Sequence, residues 1–187
     1  MRRILRVFAL VGMAAAVLAA AEAPRRADEF ALQLATGKQV LLSQYRGKVV
    51  ALGFYFTTCP HCQHTCQYME KLTGELGARG FRTLGVFFRE GDSLFVSSFA
   101  TNFKLTFPVA YSPRETVYGF LREDGNTYSV VPQMVLVDRQ GVIRYQSPHA
   151  GDNDFFKEEV LRKRIEELLN EPAGKAPPRS SARKRSN

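Results

Sequence analysis

Three cysteines occur in the 187-residue chain, and two of them stand two residues apart in Thr57-Thr58-Cys59-Pro60-His61-Cys62. Sulfur pairs at this spacing exchange disulfides or bind metal, and the flanking sequence distinguishes the two. Lys48 to Phe56 (KVVALGFYF) is a continuous apolar, β-branched and aromatic run, as expected of a central strand buried on both faces. Pro60 to Ala78 has helical periodicity, with Cys62, Cys66, Met69, Leu72 and Leu76 on one stripe. Cys59 therefore falls at a strand-to-helix corner, and Pro60 occupies the first helical position, where its missing N–H costs nothing. A thiolate at Cys59 would face unpaired helix N–H groups and the positive end of the helix dipole, which favour the charged form. Cys62, one turn on, can reach Cys59, and His61 between them can stabilise a thiolate by charge or hydrogen bond. A thiol that leaves readily makes an easily reduced, oxidising disulfide.

Other readings fit less well. A structural disulfide rarely occupies such a corner, and two core cysteines would leave Pro60 unexplained. A zinc site needs a second ligand pair, and besides His61 the chain offers only Cys66, His64 and His149. Cys66 is a small buried hydrophobe by position. Alternatively Cys59, Cys62 and Cys66, with His61, could capture Cu(I), which favours thiolates. A peroxidatic cysteine would need Pro and Thr or Ser upstream at spacings this sequence does not have.

The elements that position these residues can be followed by period and punctuation. Phe30 to Leu34 and Val40 to Leu42, broken by Thr36-Gly37-Lys38, predict a β-hairpin. After the cysteine helix come a strand over Arg82 to Phe88, a helix over Ser93 to Phe103 and a short strand over Phe107 to Ala110. A hairpin follows, Gln133 to Asp138 and Val142 to Gln146, and an amphipathic helix over Phe155 to Leu169 closes the chain's folded part. That order gives an α/β fold with a mixed central sheet flanked by helices and an N-terminal β-hairpin. The cysteines then lie at the carboxyl end of a sheet strand, where such folds place chemistry.

On these residues the chain resembles the thioredoxin superfamily and, within it, the TlpA/ResA-like exported thiol–disulfide oxidoreductases with a redoxin-type domain. The resemblance rests on the hairpin ahead of RGKVVALGFYFTTCPHC, on FKLTFPVAY and on YSVVPQMVLVDRQGVIRY, and spans about Phe30 to Leu169. It implies that Cys59 and Cys62 are the redox pair and need no bound cofactor. It also implies a cis-proline at Pro132, with the Val131 backbone pairing with substrate beside the cysteines. Protein thiols or disulfides and a redox partner protein are the implied partners. Glu90, in GVFFREGDS, matches an acidic residue that could accept the proton of Cys62, or is a solvated loop carboxylate. Departures are informative. Pro60-His61 resembles the strong oxidant DsbA, although the family as a whole points to reductants. Thr58 replaces a Trp, and Gly53 stands where thioredoxin has a buried Asp. Copper chaperones of the Sco type share the fold, but they need a histidine ahead of the Pro132 strand, near Val130, and none occurs between His64 and His149.

The ends carry the charge. Residues 1–21 have Arg2, Arg3 and Arg6, an apolar run and Ala19-x-Ala21, the pattern of an export signal, cleaved or retained as an anchor. Residues 22–28 read as a linker and 29–171 as the domain. Pro172 to Asn187 has five cations and no anion and reads as a disordered basic tail, able to touch a membrane surface. The formal charge of +8 disappears when both ends are set aside, leaving 18 cations against 18 anions. Nucleic-acid binding by the domain therefore has no electrostatic support. The expectation is an exported, periplasmic or secreted monomer.

Overall fold

A computed structural model describes residues 23–34, 36–124, 130–148 and 153–172. The expected export signal and nearly all of the basic tail lie outside the described residues. Among those described, no helix is long and apolar enough to cross a membrane.

The sheet is built around β4 (Val49–Tyr55), whose seven residues are all buried. Alternation sends Val49, Ala51 and Tyr55 to one face and Val50, Leu52 and Phe54 to the other, each into its own apolar cluster. β4 runs parallel to β5 (Phe81–Phe87) and antiparallel to β7 (Gln133–Val137). β5 runs parallel to β6 (Val109–Tyr111), and β7 forms the expected hairpin with β8 (Val142–Gln146). The N-terminal hairpin is β2 (Ala31–Leu34) and β3 (Gln39–Leu41), and β2 adds antiparallel to β6. A two-residue strand, β1 (Arg25–Arg26), pairs with β8 inside the stretch read as a linker. The eight strands are ordered β1-β8-β7-β4-β5-β6-β2-β3.

Helices cover both faces. α1 (Pro60–Leu76), α2 (Val96–Asn102) and α4 (Glu158–Asn170) bury Cys62, Cys66, Met69, Phe99, Leu161 and Ile165 with the Val49 face. A helix that the sequence reading left unassigned, α3 (Arg114–Leu121), covers the opposite face through Val117, Phe120 and Leu121. The short strand after α2 begins two residues later than expected, at Val109. Asp138, buried in the β7–β8 turn, accepts the Gln140 and Val142 N–H groups at 2.9 Å each and fixes the hairpin.

Candidate active site

β4 ends at Tyr55, and after three intervening residues the chain starts α1 with Cys59 as its N-cap. The Cys59 sulfur accepts the backbone N–H of Cys62 at 3.4 Å, so one of the orphan donors of the helix start is satisfied by sulfur. Pro60 is the first helical residue, as the sequence predicts. Cys59 is partly exposed, Cys62 and Cys66 are fully buried, and all three are free thiols. His61 is exposed on the first turn. Burial pushes the Cys62 thiol far above its ordinary range, and the neighbouring Cys59 sulfur adds to this. Burial does the same to Cys66, again with a contribution from Cys59.

Across from the cysteines, the Val131–Pro132 peptide bond is cis. The Val131 carbonyl oxygen lies 3.9 Å from the Cys59 sulfur. His61, Val131, Pro132 and Phe156 border a cavity of about 310 Å³. On the other side Thr58, Gln63, Phe95 and Phe103 border a second, of about 300 Å³. Leu94, Phe95 and Val130 are the large apolar side chains exposed among the described residues, and all three belong to segments next to the site.

The loop before Cys59 is fastened by groups that sequence reasoning missed. Asp92 is only 2% exposed, and its Oδ1 accepts the Thr57 hydroxyl at 2.6 Å and the Thr57 N–H at 3.4 Å. Its Oδ2 accepts the Arg89 N–H at 3.1 Å, while the Arg89 guanidinium donates to the Thr58 hydroxyl at 2.6 Å. Gln63, in α1, donates to the Thr57 carbonyl at 3.1 Å. The one sequence signal for Asp92 is its place in the polar turn GVFFREGDS, which also contains Glu90. Glu90 itself is exposed and lines a separate cleft with Phe56, Phe88 and Tyr111. Tyr55 is buried under α1, whereas Phe56 turns away to pack against Phe88, with ring centroids 4.8 Å apart and planes tilted by 52°.

The donor geometry does not favour copper. Among the described residues no three His, Cys, Asp or Glu side chains are grouped so as to hold a metal ion, and Cys59, Cys62 and Cys66 do not form such a group. What the arrangement can do is thiol chemistry. It combines an accessible sulfur at a helix N-terminus, a protected second sulfur one turn away, and a backbone carbonyl beside them.

Comparison with known proteins agrees. The chain matches the model of the Redoxin family over residues 20–164. It is 33% identical over 120 residues to the thiol–disulfide oxidoreductase ResA of Geobacillus kaustophilus, covering 63% of this chain and 64% of that protein. To ResA of Halalkalibacterium halodurans it is 30% identical over 123 residues, covering 66% of each. The matches thus span slightly less than two thirds of those relatives. Among solved structures, a Chlorobium tepidum protein assigned as thiol:disulfide interchange protein DsbE superposes with a TM-score of 0.63 at 28% identity, over 78% of this chain and 96% of that one. A secreted thiol–disulfide isomerase of Corynebacterium glutamicum, 21% identical, shares the fold at a TM-score of 0.65, over 77% and 85%.

Proposed function

Because the chain belongs to the Redoxin family and has the thioredoxin-like fold of its TlpA/ResA-like relatives, we propose that it is an exported thiol–disulfide oxidoreductase acting on protein substrates through Cys59-Pro60-His61-Cys62. The observation that carries this reading is the asymmetry of the two sulfurs. Cys59 is reachable and receives the Cys62 N–H at the start of α1, whereas Cys62 is sealed beneath it. Cys59 therefore exchanges with the substrate and carries the mixed disulfide, and Cys62 attacks Cys59 to release it. His61 tunes the pair from its exposed position. The Val131 carbonyl and Pro132 offer the substrate backbone an edge, and the apolar side chains of Leu94, Phe95 and Val130 suit a polypeptide substrate. A redox partner protein restores the pair, and no bound cofactor is required.

The test is to expose single-cysteine variants to an extract of exported proteins. Cys59→Ser is expected to abolish exchange, and Cys62→Ser to accumulate mixed disulfides that gels without reductant reveal. Equal residual activity in both variants would overturn the assignment. Equilibration with glutathione then gives the direction of electron flow. A potential near about −120 mV makes the protein an oxidant and one near about −270 mV a reductant.

A further inference from the structure

Tyr55 is fully buried, and its hydroxyl has no hydrogen-bond partner among the described residues. Leaving a phenolic O–H unpaired in a core is costly, and phenylalanine, which the chain uses on either side at Phe54 and Phe56, would avoid that cost. The ring is not at the site by accident of packing. Gly53 and Tyr55 share a face of β4, and a Cβ on Gly53 would fall 1.9 Å from the Tyr55 hydroxyl oxygen. The phenol therefore lies back along its own strand, in space that any larger residue at position 53 would fill. Gly85, paired with Gly53 across β4 and β5, widens the same space, since a Cβ there would come 3.7 Å from the Tyr55 ring.

Tyr55, Cys62 and Cys66 belong to one buried cluster, with Phe87 of β5, Met134 of β7 and Leu161 of α4 around them. Those side chains are apolar, and Cys66 and Cys62 are the titratable groups that bear on the phenol, whose own acidity burial suppresses. A neutral thiol is a weak acceptor, whereas a thiolate is a strong one. An idle O–H beside a buried thiol thus acquires a partner when that thiol ionises.

We propose that the Tyr55 hydroxyl is a hydrogen-bond donor to the Cys62 thiolate while the mixed disulfide is resolved. In that step the Cys62 thiol gives its proton to solvent, and the thiolate attacks the Cys59 sulfur. The Cys59–Cys62 bond forms as the bond from Cys59 to the substrate sulfur breaks. The electron pair leaves on the substrate thiolate, which takes a proton from water. The protein dithiol is oxidised by two electrons and the substrate disulfide reduced, and Tyr55 keeps its proton throughout.

This inference rests on the thiol-exchange reading, and one experiment separates the two. The protein is loaded with thionitrobenzoate on Cys59, and release of the coloured thiol by Cys62 is followed by stopped flow across pH. If the wild-type protein releases none, exchange itself fails. If it does, Tyr55→Phe is expected to release about ten-fold more slowly at neutral pH. Its pH midpoint should move upward, while its melting temperature stays equal or rises. The same ratio is expected in a Cys66→Ala background. Unchanged release, a slowing that is uniform across pH with a lower melting temperature, or loss of the effect without Cys66 would each overturn the proposal.

Discussion

Cys66 shows how burial makes a residue sensitive to pH. Its thiol is raised above the ordinary value of 9.0, first by burial and then by Cys59, so the folded state holds the proton that the unfolded chain releases. The stability this contributes is fully present below pH 9.0 and is lost as the pH climbs through the raised value. Cys62 behaves alike, burial again being the largest cause. Each group adds a loss of about 1.4 kcal/mol per pH unit above its unfolded value. Denaturation of the reduced protein between pH 7 and 11 is therefore expected to show Cys66→Ala losing stability less steeply than wild type above pH 9. Parallel curves would show that Cys66 ionises equally in both states.

At the scale of elements, the site depends on two loops held together, the one from β4 to α1 and the one from β5 to α2. Asp92 is the bolt, since it pairs with Thr57 on one loop and with Arg89 on its own. Asp92→Ala would leave the Thr57 hydroxyl and two backbone N–H groups without their acceptor, at a cost of about 2–4 kcal/mol. Urea denaturation is expected to read that loss, and alkylation of Cys59 to change rate as its loop loosens. The β4–α1 corner was legible in the sequence because local rules set it: an apolar run, a proline at the first helical turn, and sulfur at the cap. Asp92 was not, because its partner Thr57 is 35 residues away and a polar turn does not advertise which of its carboxylates is buried. α3 escaped notice because its eight residues make too short a periodic run, and β1 because two residues have no period at all. The approach of Tyr55 to Gly53 escaped for another reason. Alternation tells which face a side chain takes, not that it lies back along its own strand.

The described residues form a sheet covered on both faces, and residues 22–171 carry no net formal charge. Binding to other chains is then governed by surface shape and apolar contact, which the exposed side chains of Leu94, Phe95 and Val130 offer. Sedimentation of the reduced protein at rising concentration is expected to show one monomeric species, and a dimer would mean that these side chains, or the sheet, find a partner copy. The sheet is poorly suited to that role. Its long strands lie inside, and it ends in β1 with two residues and β3 with three. β1 is also doubly cationic, through Arg25 and Arg26. A protein substrate held at Cys59, as proposed above, brings segments ready to add as an extra strand. Edges this short, one of them charged, offer such a segment few unpaired N–H and C=O groups. On the proposed function, the fold would hold a substrate by one sulfur without becoming the template on which substrates aggregate.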